Sequence, residues 1–214
     1  MIAVANADAA LIRRCQANDA AAFNEIVARY KNRVYAYVSR LAGPGPDAED
    51  LAQEVFVRAY LNIGTFQSRA CLNTWLFRIA TNLCIDHNRR QGRGRDQTVS
   101  LLRQDGVGDE ESEREIPDER FDPLRVAMNR ELGDELERAL EGLPDRLRTV
   151  VLLHDIEGMP YEQIARVVEC PVGTVKSRLF HARMALREKL KPYLAGVLPG
   201  EDEHGQGAGK AGGR

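Results

Sequence analysis

The sequence predicts an all-α protein: two small helical domains, the second with a helix-turn-helix, joined by a flexible acidic linker. Three observations carry this. Apolar residues recur at three-and-four spacing through most of the chain, and no stretch sustains the alternation of a half-buried strand. Between residues 91 and 122 the pattern lapses into "QGRGRDQTVSLLRQDGVGDEESEREIPDERFD", rich in Gly, acid and Pro and too poor in apolar side chains to build a core. Charge divides along the same lines. Residues 1–100 hold 13 basic and 9 acidic side chains (+4), residues 101–141 hold 6 and 14 (−8), and residues 142–192 hold 9 and 6 (+3). Two mildly basic blocks around an acidic connector suit a two-module protein that meets polyanions at both ends.

The elements follow in order. Asn6 or Asp8 can cap a first short helix from Ala9 to Ala17. "NDAAAF" restarts a second, in which Phe23, Ile26, Val27, Tyr30, Val34, Tyr37, Val38 and Leu41 keep the helical period. "GPGP" at 43–46 stops it. Asp47 caps a third helix with Leu51, Val55, Phe56 and Ala59 inward. "NIGTFQSRAC", 62–71, is a loop, and Leu72 to Asn88 is a fourth helix with Leu72, Leu76, Ile79 and Leu83 as its buried stripe. This places a first domain at 1–92 and the linker at 93–123. A second domain, 124–192, opens with a helix from Leu124 to Leu140, broken by "GLP" at 142–144. Asp145 starts another through Val150, Val151 and Leu153, which "DIEGMP" ends. Tyr161 to Val168 is short, "ECP" is a tight turn, and residues 171–190 form the long last helix. The Gly-rich tail, 193–214, is expected to be disordered.

Composition removes several function classes. The longest apolar runs fall far short of the roughly 20 residues that span a bilayer. "MIAVANADAALIRR" lacks a basic segment ahead of an apolar core, so a cytoplasmic, non-membrane-embedded protein is expected. Cys15, Cys71, Cys84 and Cys170 form no C-x-x-C pair, which argues against zinc and disulfide frameworks. His87, His154, His181 and His204 stand apart from any carboxylate or cysteine cluster with ligand spacing. No catalytic residue, metal, cofactor or small-molecule substrate is expected.

Three segments carry the candidate sites. The helices 161–168 and 171–190, joined by three residues, have helix-turn-helix spacing, with Ala165 small at the crossing and Ile164, Val168, Val175 and Leu179 between them. In that geometry the second helix enters the major groove. Lys176, Ser177, Phe180 and His181 lie opposite its buried stripe and offer donors and an apolar ring to base edges. Thr174 and the free N–H groups of the first turn suit phosphate, and Arg178 and Arg183 suit the flanking backbone. A solvated helix whose Phe180 packs on a neighbour is the plain alternative. In the second segment, 66–95, a polar loop leads into a helix with Arg78, Asn82 and Arg89 opposite its stripe, and Arg89, Arg90, Arg93 and Arg95 at its end. A loop and basic helix of this kind suit single-stranded nucleic acid. Trp75 reads as core rather than stacking platform, because it adjoins Leu72, Leu76 and Ile79. In the third, 47–60, Asp50, Gln53, Glu54 and Val57 share one polar face, which on its own reads as solvated.

The order "DAEDLAQEVFVRAY", "TWLFRIATNLCIDHNRR", "LPDRLRTVVLLHDIEGMPYEQIARVVECPVGTVKSRLFHAR" resembles the extracytoplasmic-function sigma factors, especially the sigma-E and sigma-W type, over roughly residues 8–92 and 124–190. The resemblance implies sigma-2 and sigma-4 domains that bring bacterial core RNA polymerase, through its beta-prime and beta subunits, to promoter DNA. It matches Asp50, Gln53 and Glu54 to the helix that docks on the beta-prime coiled coil. The loop Phe66 to Leu72, with Gln67, Ser68 and Arg69, matches the one that captures a flipped base of the melted minus-10 element. Asn82 matches a reader of that element and Trp75 a neighbour of it, with Arg78, Arg89 and Arg90 alongside. Lys176, Ser177, Phe180 and His181 match minus-35 positions. His181 stands where sigma-E-type relatives commonly carry arginine, and histidine cannot make arginine's two-pronged guanine contact. An anti-sigma factor, membrane-bound or soluble, is a further expected partner, which can hold the protein at the inner membrane away from the nucleoid. The runner-up class is an operator-binding helix-turn-helix regulator. It would carry a ligand or phosphoacceptor domain at its N-terminus, and residues 1–100 show neither strand pattern nor nucleotide-binding glycines.

Overall fold

The computed structural model describes residues 2–66, 71–92 and 130–194. Among them all regular structure is helical. The first half holds α1 (Ile2–Gln16), α2 (Ala20–Ala42), α3 (Pro46–Asn62), a 3₁₀ turn at Ile63–Thr65 and α4 (Leu72–Arg90). The second holds α5 (Arg130–Glu141), α6 (Asp145–Val151) continuing into a π-type turn at Leu152–Ile156, α7 (Tyr161–Val167) and α8 (Val172–Leu194). The expected linker at 93–123, the start of the helix expected from Leu124, and the tail beyond 194 lie outside the described residues.

In the first half α2 is the central element. Phe23, Ile26, Tyr30, Val34, Tyr37, Val38 and Leu41 are all buried, as its period requires. Asp19 caps it, its carboxylate accepting from the N–H groups of Ala21 and Ala22 at 2.9 and 3.2 Å. Val55 and Ala59 of α3, and Leu72, Leu76, Phe77 and Ala80 of α4, close on that stripe. The two helix starts expected at aspartates differ. α1 begins at Ile2, so Asp8 sits inside it and is buried, receiving Tyr30 Oη at 2.6 Å and Arg29 Nη1 at 2.5 Å. α3 begins at Pro46, preceded by Gly45 at φ 126°, so the glycine turns the chain and Asp47 falls in the first turn. There it complements the helix dipole without capping.

In the second half Leu132, Leu136 and Leu140 of α5, Leu147, Val150 and Val151 of α6, and Val175, Leu179, Ala182, Leu186 and Leu190 of α8 form one buried set. Each large apolar side chain removed from water contributes about 1.5–3 kcal/mol. α8 extends to Leu194, past Pro192, and is four residues longer than its apolar period indicates. The halves also pack together: α4 lies along α7, and α2 touches α5 and α6.

Candidate nucleic-acid interface

The helix-turn-helix is built from α7 and α8. Ile164, Val175 and Leu179 are buried between them, with Ala165 and Val168 packed at the margin. Val167 is buried more deeply than Val168. The turn passes through Glu169 at φ 52°, a left-handed conformation that glycine adopts more readily, and closes with the Cys170 N–H on the Ala165 carbonyl at 3.2 Å.

On α8 the outward set stands as the spacing demands. Lys176, Ser177, Phe180 and His181 are exposed, Phe180 by 51%, and its ring meets His181 edge-on at 5.7 Å. The plain alternative, Phe180 packed on a neighbouring element, is therefore not what is seen. Lys176 Nζ lies 6.0 Å above the Tyr161 ring, which in turn stacks on His154 at 4.9 Å. Thr174 and Arg178 are half-buried, and Arg178 Nη1 approaches Cys170 Sγ at 3.8 Å. Arg183 is differently placed. Its Nη2 and Nε donate to Asp155 Oδ1 and Oδ2 at 2.6 and 3.2 Å, and His154 Nδ1 sits 2.8 Å from Oδ1. Burial pushes the Asp155 carboxyl up, but the hydrogen bonds from His154 and Arg183 outweigh it and hold it below its usual 3.8.

On α4, Arg78, Asn82, Arg89 and Arg90 are exposed, with Arg89 Nη2 on Asp86 at 3.0 Å. Trp75 is half-buried, its ring 5.0 Å from Phe66, in keeping with a core-margin role. Gln16 Nε2 holds the start of the adjoining loop, donating to the carbonyls of Ile63 and Phe66 at 3.2 and 2.9 Å. Gln67, Ser68 and Arg69 lie outside the described residues. On α3, Asp50 and Gln53 are exposed and Glu54 is half-buried, binding Arg58 Nε at 2.7 Å. Val57, placed on this face by its spacing, belongs to an apolar rim that spacing did not extend to Tyr60 and Leu61; the three are exposed by 52, 54 and 74%. Three large apolar residues left out of a core are a usable signal for an interface.

Two helical modules, one ending in an exposed helix-turn-helix and the other in a basic helix behind a polar loop, define the class. The chain matches Sigma-70 region 2 over residues 26–94 and Sigma-70 region 4 over residues 133–186, so it is built as a transcription initiation factor. It is 35% identical over 188 residues to the ECF RNA polymerase sigma-E factor of Escherichia coli (strain K12), covering 87% of this chain and 96% of that protein. The corresponding factor of Haemophilus influenzae is 36% identical over 195 residues, covering 87% and 97%. The chain belongs to the ECF RNA polymerase sigma factors, an alternative sigma factor acting with core RNA polymerase at promoters. The operator-binding reading is not favoured. Among solved structures, CnrH in complex with the cytosolic domain of CnrY shares the fold, with TM-score 0.62, 24% identity, and 87% of this chain and 98% of that one covered. So does the sigma factor RpoE in complex with the anti-sigma factor NepR from Bartonella quintana, at TM-score 0.57, 24% identity, and 79% and 96% covered.

Proposed function

We propose that α8 reads the minus-35 duplex with Lys176, Ser177, Phe180 and His181, and that α4 and the loop before it read the melted minus-10 strand. One observation carries this: the four α8 side chains are exposed on a helix whose opposite face is wholly buried. Thr174 and Arg178 position the helix on the phosphates. Arg183 acts through Asp155, fixing α8 against the π-type turn. Asn82 and Arg78, one turn apart, face the single strand, with Arg89, Arg90 and the loop residues Gln67, Ser68 and Arg69 beside them. Trp75 packs on Phe66, where that loop begins. Asp50, Gln53 and Glu54, with Val57 and Leu61 at their rim, dock on the beta-prime subunit, and the second half meets beta. The protein carries no chemistry of its own and works without metal or cofactor.

The two solved relatives above are bound to CnrY and NepR, and a protein inhibitor of this chain fits the same pattern. Such an inhibitor, if membrane-anchored, would keep the protein from the nucleoid. The domain limits follow as 1–92, 93–123 and 124–194, the second domain extended from 192 because α8 runs to Leu194, with 195–214 as the tail. Run-off transcription with purified core polymerase tests the reading. Promoter-dependent transcripts that vanish when either element is scrambled are expected. Duplex binding without initiation would overturn it in favour of an operator-binding regulator.

A further inference from the structure

Beside the outward quartet of α8 lies a ring that its spacing does not include. Tyr161, the first residue of α7, is half-buried and packs on the core. The turn leading to it is tied back on itself: the Glu157 and Gly158 N–H groups donate to the Leu152 and His154 carbonyls at 3.0 and 3.1 Å, and the Met159 N–H to the Leu153 carbonyl at 2.9 Å. Tyr161 stacks on His154, with ring centroids 4.9 Å apart and planes 20° from parallel. His154 is held in its turn. Its Nδ1 lies 2.8 Å from Asp155 Oδ1, the oxygen that also receives Arg183 Nη2 at 2.6 Å, and the Asp155 side chain is 4% exposed. Over the Tyr161 ring lies Lys176 Nζ, 6.0 Å from the centroid. Lys176 and Arg183 stand about two turns apart on α8 and so share one edge of it. That edge is held at two points, by Asp155 and by Tyr161.

The two holds differ in kind. Arg183 is bound by hydrogen bonds to a buried carboxylate. Lys176 is drawn to the face of a ring, an attraction that favours one position by about two- to fivefold at an exposed site. Such a hold biases a side chain and still yields to a base. A lysine without it is a poor reader. Its amine is a point charge with three donors on a flexible stem, and phosphate oxygens attract it as well as guanine O6 and N7 do. Biasing the amine toward one place before contact lowers the ordering cost there and leaves it in place elsewhere.

We infer that Tyr161 is a specificity-determining positioning residue: its ring, braced by His154 on the Asp155–Arg183 pair, aims Lys176 at a single base pair of the minus-35 duplex. The inference deepens the minus-35 reading proposed above and rests on it. The role requires no contact between Tyr161 and DNA.

Two measurements on the full chain test it, using Tyr161→Phe, which keeps a ring, and Tyr161→Leu, which removes it, each checked for parental helical content. The first needs no DNA. A ring face beneath the amine should move the Lys176 side-chain methylene resonances upfield in the free protein. The other lysines are Lys31, Lys189, Lys191 and Lys210, so carbon-13 lysine labelling with Lys176→Arg assigns the signal. The shift should appear in the parent and in Tyr161→Phe and vanish in Tyr161→Leu. Its absence from the parent would overturn the inference whatever the variants do. In the second, the chain is combined with core polymerase, and a promoter selected by the parent is randomised across its minus-35 element. Lys176→Ala identifies the pair that Lys176 reads. At that pair Tyr161→Leu should lose about two- to fivefold of the parental preference, and Tyr161→Phe should keep it. Tyr161→Leu added to Lys176→Ala should lose nothing further there. Preference that falls in Lys176→Ala but is intact in Tyr161→Leu would overturn the positioning role and leave the minus-35 reading standing. Loss spread over several pairs would make Tyr161 a support of the whole helix and overturn it equally. A parent without minus-35 preference, or a preference untouched by Lys176→Ala, would remove the Lys176 reading and this inference with it.

Discussion

Removing the Arg183 guanidinium asks whether that group serves the fold or the DNA. Arg183→Met keeps the aliphatic stem and leaves the Asp155 carboxylate, 4% exposed, to His154 in the turn. Charge-assisted hydrogen bonds contribute about 1.5–3 kcal/mol each, and breaking a buried pair costs about 3–5 kcal/mol. Arg183 is itself 24% exposed, so water can follow the lost group and the loss should sit at the low end, about 2–3 kcal/mol. Asp155→Asn in the Arg183→Met background should recover part of it, giving a coupling of about 1–2 kcal/mol in the double-mutant cycle. Denaturant unfolding followed by helical circular dichroism reads both values. The pH dependence has a defined sign. The folded Asp155 carboxyl lies below its usual 3.8, so its contribution is present above that value and is lost as pH falls through the folded one. The gap between parent and variant should therefore persist from neutral pH to about pH 4 and shrink below it. Parental stability in Arg183→Met, together with a minus-35 salt slope shallower by about one, would make Arg183 a phosphate contact and refute this reasoning.

Other expectations follow from the same geometry. Glu169→Gly relieves the φ 52° strain and should stabilise the protein by about 1 kcal/mol, read as a higher thermal midpoint; a lower midpoint would mean the Glu169 side chain compensates locally. His181→Arg should strengthen preference for a guanine in selection from a randomised minus-35 library, and identical selected sequences would show that residue 181 reads no base. Asp50→Lys with Glu54→Lys should weaken core polymerase binding while costing about 1 kcal/mol of stability, since Glu54→Lys turns its pair with Arg58 into a repulsion, and normal core affinity would sink the docking assignment.

The helices were legible because each is amphipathic on its own. The α2 stripe, the α7–α8 pairing and the outward quartet of α8 all follow from period alone. What spacing could not reveal was long-range pairing of polar groups. Asp8 looks like a cap because capping is the commonest local use of such a residue, and its true partners lie 21 and 22 residues away on α2. Thr74 and Asn88 fall outside the apolar period of α4, and their partners lie 89 and 57 positions further on. Arg183 reads as one more cation on a basic helix, since nothing local announces that Asp155, 28 residues earlier, holds it.

If α8 reads the minus-35 duplex as proposed, one helix performs two tasks with separate sets of side chains. Val175, Leu179, Ala182, Leu186 and Leu190 tie α8 into the core, while Lys176, Ser177, Phe180 and His181 are exposed, Lys176 lying over the rim of the fold at Tyr161. Substitutions at such exposed sites usually shift stability by less than about 0.5 kcal/mol. Promoter preference can therefore drift through single changes with almost no thermodynamic resistance. Duplicated copies of a gene for such a chain could acquire different target sets early, long before their scaffolds had diverged.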